Sequence, residues 1–409
     1  MTLASTVGQR ADLTFRHNVG RGRHGWLRLT PAYSVRLVEA IFEENSSCKR
    51  VVDPFSGTGT TGLVVAERGG ACDLLEINPF LVWLAKVKTR NYSEMDCAEA
   101  LRLAVVIKTA ALADSQEDLW TPPIHNIARW WNPGRLRALA AIHAGIRAHE
   151  ATVKTEIVDL LRIAFCRALI EWSNAAFNHQ SMSFKDEPSQ RAITGDIEAI
   201  GESFQETVRN ICSDARTPLR GQVAVFREDS RALREASGGQ YNLLMTSPPY
   251  PNRISYIREL RPYMYWLGYL TSARQSGEMD WESIGGTWGI ATSRLLDWSP
   301  KGYWGRNPVL LVIVRKIAER SPVLANYVHK YFEDMFEHFG NIRRVLAPGA
   351  RAYYVVGNSK FYDTVLPTEE LYGTLMRMNG FSDVSVDVTR KRNSKKELYE
   401  YVVSGTFKG

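Results

Sequence analysis

The chain is poor in most of the features that would classify it at sight. It has five cysteines in 409 residues, Cys48, Cys72, Cys97, Cys166 and Cys212, without a C-x-x-C pair. An odd, scattered set of this kind offers neither a disulfide framework nor a zinc-ligand cluster. No run of about 18 apolar residues occurs, which argues against a membrane-spanning helix. The start, Met1-Thr2-Leu3-Ala4-Ser5, carries no secretory leader pattern. A cytoplasmic protein with no membrane and no metal partner is therefore expected. Charge of one sign is not dominant either: 51 basic against 44 acidic side chains leave a formal +7, too modest to name a partner. With 44% hydrophobic and 23% charged residues, the chain suits one large core with insertions, or two domains.

What is present is concentrated in two short segments. Thr246-Ser247-Pro248-Pro249-Tyr250 follows directly on the apolar run Tyr241-Asn242-Leu243-Leu244-Met245. A strand should thus deliver a short stiff loop that ends in an aromatic ring. The prolines fix φ and remove two backbone donors. The Ser247 hydroxyl and the carbonyls of Ser247 and Pro248 remain as a row of acceptors beside Tyr250. A planar heterocycle with an exocyclic amino group suits that row, its amine donating to the acceptors and its ring stacking on the tyrosine. A plain Pro-Pro turn closing a buried strand is the blander reading of the same residues.

The second segment, Lys49 to Gly62, reads as strand, glycine turn and helix start. Gly57, Gly59 and Gly62 have the G-x-G-x-x-G spacing of dinucleotide folds. Gly57 and Gly62 also stand at P-loop spacing, but Leu63-Val64 replaces the Lys-Ser/Thr that grips phosphate. The helix continues through Leu63, Val64, Val65 and Ala66 until Gly69-Gly70 stops it. A further strand, Ala71 to Ile77, carries Glu76 at its end, where such folds place an acid for ribose hydroxyls. On these residues alone NAD and S-adenosylmethionine are not separated.

Together the two segments resemble the amino-group DNA methyltransferases, which methylate the exocyclic nitrogen of cytosine or adenine. Asp53-Pro54-Phe55-Ser56-Gly57-Thr58-Gly59-Thr60 matches the family's D-P-F-x-G-x-G-T, Glu76 to Pro79 matches E-x-N-P, and Thr246 to Tyr250 matches its catalytic loop. The resemblance implies a Rossmann-like class I α/β methyltransferase sheet and S-adenosylmethionine as cofactor. It assigns Asp53, Pro54, Phe55, Gly57, Gly59, Thr60, Glu76 and Asn78 to the cofactor and Ser247, Pro248, Pro249 and Tyr250 to catalysis. His24 to Tyr33 resembles the segment that closes over the cofactor's methionine end, which adds Thr30, Pro31 and Tyr33. The same residues read equally as an N-capped helix, with Thr30 as cap and Pro31 at its first position. Val223 to Arg231 resembles a third strand whose Asp229 meets the adenine amine, although Asp229 also reads as a helix cap. Serine before Pro-Pro-Tyr is the variant this family favours for cytosine N4 over adenine N6. Carbon-5 chemistry, which needs a thiolate nucleophile in a Pro-Cys motif, is argued against, because no cysteine follows a proline.

Between Glu76 and Asp229 the chain is far longer than a bare sheet needs, so residues 93–218 read as a helical insertion and candidate DNA-recognition region. Residues 1–92 and 219–409 then form a discontinuous catalytic domain. In the insertion, Leu101, Ala104, Val105 and Lys108 suit one amphipathic helix, and Ile157, Leu160, Leu161, Ala164, Phe165, Ala168 and Leu169 another. The amide-rich stretch Trp172 to Met182 reads either as a base-contacting loop or as a helix end. A helix over about 323–345, the turn Ala347-Pro348-Gly349 and a strand over 351–359 follow. Phe381–Val388 and Leu398–Ser404 resemble the family's final antiparallel pair. Arg16, Arg21, Arg23 and Arg28 on the N-terminal arm, and Arg253, Arg258 and Arg261 after the catalytic loop, are candidate phosphate contacts on double-stranded DNA. Arg390-Lys391-Arg392 is a third basic run. No nuclease module is evident, so a restriction endonuclease would be a separate chain. The rival readings are an RNA base methyltransferase, a DNA-binding subunit without turnover, and an NAD-dependent oxidoreductase.

Overall fold

The computed structural model describes residues 7–29, 32–48, 50–113, 118–176, 183–184, 196–234, 236, 240–253, 255–286, 290–300, 302, 307–392 and 397–409. After an N-terminal arm of short 3-10 turns, helix α1 (Val35–Glu44) leads to strand β1 (Arg50–Asp53), α2 (Thr60–Glu67), β2 (Ala71–Glu76) and α3 (Pro79–Thr89). Five helices follow: α4 (Glu94–Ala113), α5 (Ile127–Trp130), α6 (Pro133–His149), α7 (Thr155–Glu171) and α8 (Asp196–Ala215), with a two-residue ribbon, β3 (Ala175–Ala176) and β4 (Ser183–Phe184). The chain re-enters the sheet as β5 (Gln222–Arg227) and β6 (Tyr241–Thr246). Helices α9 (Tyr256–Trp266), α10 (Ala273–Glu282), α11 (Ile290–Asp297), α12 (Pro308–Ala318) and α13 (Pro322–Ile342) come next. The last elements are β7 (Leu346–Gly357), the small hairpin β8 (Ser359–Phe361) and β9 (Thr364–Leu366), α14 (Thr368–Met378), β10 (Phe381–Lys391) and β11 (Tyr399–Phe407).

Seven strands form one sheet in the order β10-β11-β7-β6-β1-β2-β5. β1 pairs in parallel with β2 and β6, β2 with β5, and β6 with β7, while β11 runs antiparallel to β7 and β10. This is the Rossmann-like α/β architecture expected, including the final antiparallel pair. The strands are apolar because helices cover both faces: Val51, Val52, Leu74, Leu75, Leu243, Leu244, Val355 and Val356 are each fully buried. The chain steps outward from β1 through β2 to β5, then returns to β6 on the other side of β1. Strand order therefore reverses between β1 and β6, and a crevice opens at their C-terminal ends.

The helices of residues 94–215 share one apolar core with α3 and α9. Phe80 of α3 stacks on Tyr263 of α9 with ring centroids 5.3 Å apart and planes 5° apart, a pair worth about 0.5–1.5 kcal/mol beyond its buried area. Trp266 at the end of α9 meets Trp131, His143 and Phe165 edge-on. The expected face of α7 is buried throughout, from Ile157 to Leu169. On α4 the face is rotated from expectation: Cys97, Ala100, Leu103, Ala104 and Ile107 point inward, and Val105 is 47% exposed. Pattern alone misplaced it because α4 is apolar nearly all round.

Three boundaries differ from expectation. α1 starts at Val35, and its cap is Ser34, which accepts from the Arg36 amide; Thr30 and Pro31 lie outside the described residues. β5 ends at Arg227, so Asp229 sits in a turn rather than a strand or helix, its carboxylate accepting the Arg231 amide. Pro348-Gly349 lies inside β7 as an irregularity in its pairing with β6, with Gly349 at φ +82°. Of the amide-rich stretch, residues 177–182 are outside the described residues.

Candidate active site

At the end of β1 the chain turns through Gly57 (φ +50°) and Gly59 (φ +77°), a left-handed backbone that favours glycine, into α2. The three motif glycines serve different ends. A Cβ on Gly59 would lie 3.0 Å from that of Ala85, and one on Gly62 would lie 2.7 Å from Leu74 Cδ1. Those two positions let α2 pack closely on α3 and β2. Gly57 faces open space, so it is there that a ligand can approach the backbone.

Two carboxylates brace the turn. Asp53 is fully buried and accepts from Thr246 Oγ1 at 2.6 Å, Thr61 Oγ1 at 2.5 Å, the Phe55 amide at 3.1 Å and Tyr33 Oη at 3.4 Å. Burial raises its pKa to about 6, and its hydroxyl and amide donors oppose that rise. Tyr33 also hydrogen-bonds to Thr61. Glu76, half-buried, accepts from the Gly57 and Asn78 amides, each at 2.9 Å. Burial raises its pKa to about 7, against those amide bonds. Beneath the loop, buried Lys88 donates from Nζ to the Thr58 carbonyl at 2.9 Å, and burial lowers its pKa to about 7.

The Ser-Pro-Pro-Tyr loop begins at the end of β6, beside Asp53. Ser247 Oγ donates to the Val355 carbonyl at 3.3 Å. Three tyrosine hydroxyls hold the loop, one from the helix that follows it and two from α13. Tyr331 of α13 donates to the Pro249 carbonyl at 2.7 Å, Tyr256 of α9 accepts the Tyr250 amide at 3.1 Å, and Tyr327 of α13 accepts the Arg253 amide at 3.3 Å. Tyr331 is itself bonded to Tyr372 of α14 at 2.7 Å. Arg253 adopts φ +64° and is exposed.

The structure thus brings Tyr33, Asp53, Thr246 and the two motif loops together in the crevice. Other motif residues are engaged in scaffolding. Asn78 is buried, and its side chain caps α3 by accepting the Phe80 amide at 3.0 Å. Thr60 is buried against the Thr58 hydroxyl at 3.2 Å, Pro54 is buried, and Phe55 packs edge-on to His338. Asp229 lies at the same edge of the sheet as Glu76 but is paired with Arg231 at 2.6 Å, and Arg231 also reaches Asp334. Among the basic residues, Arg23 is buried and donates to the carbonyls of Lys88, Arg90, Ala215 and Thr217. It clamps the arm to the ends of α3 and α8 and is not a phosphate contact. Arg16, Arg21 and Arg28 are exposed, and Arg258 and Arg261 are half-buried along α9. Thr61, Tyr256, Tyr327 and Tyr331 were missed at the sequence level. The tyrosines of α13 stand at helical spacing among Phe332, Met335, Phe336 and Phe339, a pattern that in sequence alone marks an apolar helix face.

Comparison with known proteins finds relatives named Type II methyltransferases. The chain is 25% identical over 278 residues to Type II methyltransferase M.AvaI from Nostoc sp. and to the same-named protein from Anabaena variabilis. The match covers 61% of this chain and 55% of theirs, so the chain spans about half the length of these relatives. Type II methyltransferase M.BsoBI from Geobacillus stearothermophilus is 20% identical over 455 residues, covering 96% of this chain and 85% of that one. No family model matches the chain. Among solved structures, the rRNA methyltransferase aviRa from Streptomyces viridochromogenes aligns at a TM-score of 0.29 and 10% identity, over 96% of each chain.

Proposed function

We propose that this chain is a DNA methyltransferase that uses S-adenosylmethionine to methylate the exocyclic amino group of a flipped base, cytosine N4 in preference to adenine N6. The observation that carries the reading is the 2.6 Å bond from Thr246 to Asp53. It joins the glycine turn to the Ser-Pro-Pro-Tyr loop in the crevice where strand order reverses, so cofactor and base sites adjoin. The relatives named Type II methyltransferases support methyl transfer without bearing on the atom methylated, and a separate restriction endonuclease is the partner such a role implies.

The residues present fit the cofactor. Gly57 opens onto free space, Glu76 retains lone pairs beyond its two amide bonds, and the buried Ser56 hydroxyl beside it has no partner among the described residues. Glu76 would hold the ribose hydroxyls and Asp229 the adenine amine. When bound, S-adenosylmethionine supplies an electrophilic sulfonium methyl group. Ser247 and Pro248 accept the two amino hydrogens of the base and localise its lone pair, and their oxygens face the positive charge that develops on nitrogen. Orientation supplies the rest of the acceleration, with no covalent intermediate on the enzyme. The target amine is out of reach inside a duplex, so the base must flip out to stack on Tyr250. Serine's neutral hydroxyl tolerates either base, and the preference for cytosine rests on the resemblance.

Digestion of treated DNA to nucleosides, followed by mass spectrometry, tests the proposal. N4-methylcytosine is expected. Methyladenine alone would overturn the base preference, and no methylated nucleoside at all would overturn the reaction.

A further inference from the structure

Glu400 and the basic pair Arg390 and Arg392 have no part in the reaction as argued so far, yet they lie against its aromatic residue. Gly357, Glu400 and Arg390 stand side by side on β7, β11 and β10. Glu400 is 4% exposed and takes a two-pronged ion pair from Arg390, Nε to Oε1 at 3.0 Å and Nη2 to Oε2 at 2.7 Å. Its Oε2 also accepts the Tyr250 hydroxyl at 3.1 Å. Gly357 leaves the room required: a Cβ there would lie 2.9 Å from Tyr250 Cδ2 and would overlap the Arg392 guanidinium. That guanidinium sits 4.9 Å from the Tyr250 ring centroid and donates to the Asn358 carbonyl at 2.9 Å. The ring is therefore tied at its tip, anchored at its backbone by Tyr256 and covered on one face.

We propose that Glu400 is a positioning residue of the base site, holding Tyr250 by its hydroxyl, while Arg392 covers one ring face so that the base is received on the other. The inference rests on Tyr250 being the stacking residue. A bond to a carboxylate is stronger than one between neutral groups, and Arg390 compensates the charge that burial would otherwise penalise. A tyrosine fixed at its tip keeps its ring plane, so a stacking partner meets a platform already oriented.

Two variants separate this from a purely structural ion pair. Tyr250→Phe removes the tethered hydroxyl and leaves the ion pair intact. Glu400→Gln keeps the shape and removes the charge. Each should lower kcat about tenfold with cofactor affinity unchanged, and the double variant should fall no further than either single one, because both cut the same link. Fluorotyrosine placed at position 250 should show a moved fluorine resonance in Glu400→Gln and in Arg392→Ala. Independent, multiplying losses, or a fluorine resonance that ignores Glu400→Gln, would overturn the tether. A resonance unmoved by Arg392→Ala would remove the covered face. If the wild-type protein methylates no DNA, the proposed reaction falls. The fluorine signal and the coupling of the two variants in melting temperature then decide the tether on their own.

Discussion

The two loops at the crevice are built on opposite plans. The glycine turn is held mostly by its own neighbours: Asp53, Phe55, Thr61 and Glu76 lie within one β-α-β unit, and Lys88 is on the next helix. The Ser-Pro-Pro-Tyr loop is held mostly by residues far along the chain, Tyr327, Tyr331 and Glu400, with Tyr256 of the next helix a near neighbour. Thr246 crosses from one to the other. The first loop is thus part of the folding core, whereas the second is a stiff insert clasped from outside. Damage to the first should appear as lost stability, and damage to the second as lost turnover.

The widest expected gap is between Asp53→Ala and Tyr331→Phe. Asp53→Ala strands several buried donors at about 1–3 kcal/mol each and should cost about 3 kcal/mol or more in denaturant unfolding. Tyr331→Phe should cost about 1 kcal/mol while lowering methyl transfer by a larger factor. Equal losses of stability would erase the contrast. Within the glycine turn, Gly59→Ala meets Ala85 as well as a left-handed backbone and should destabilise by about 1–2 kcal/mol or more. Gly57→Ala pays only the backbone cost, yet should weaken S-adenosylmethionine in calorimetry more than Gly59→Ala does.

The pH dependence is a subtler probe. Asp53 and Glu76 both have folded-state pKa values raised, to about 6 and about 7. The folded chain keeps these protons where the unfolded chain has lost them. Their contribution to stability is therefore complete below about pH 4 and is lost as pH climbs through about 6 to 7. Melts recorded across that range should be flatter for Glu76→Gln than for wild type. Cofactor affinity should move the other way and rise as Glu76 ionises. The smallest effect concerns the outer rim. Arg253 is exposed and Arg258 is half-buried, so Arg253→Ala should lower the slope of log DNA affinity against log salt by about one unit. Arg258→Ala should lower it less.

The same contrast governs what could be read from the sequence. The glycine turn was legible because its chemistry is local: spacing gave Gly57, Gly59 and Gly62, and the end of a strand gave Glu76. Asp53 and Asn78 were found as motif residues, but their work inside the protein, bracing and capping, depends on partners that spacing does not reveal. Thr246 stood in the quoted motif without a role until β6 was placed beside β1. Tyr331 and Glu400 carried no signal, since a tyrosine at helical spacing reads as core and a lone glutamate in a strand reads as surface. The third basic run looked remote in sequence, yet antiparallel pairing of β10 with β11 folds Arg390 and Arg392 back onto Tyr250.

Helix α9 sets a rule for anyone who would retarget this protein. Its first residue bonds the backbone of Tyr250, and its last lies among the aromatic side chains of the 94–215 bundle. At about 1.5 Å per residue the two ends are about 16 Å apart along this one rod-like element, which carries Pro262 in its interior. A chimaera that borrows residues 94–215 from a relative must also borrow the face of α9 bearing Tyr263, Met264 and Trp266. Otherwise the misfit at one end of the rod becomes a displacement of the tyrosine at the other. The bundle and the loop are exchanged together or not at all.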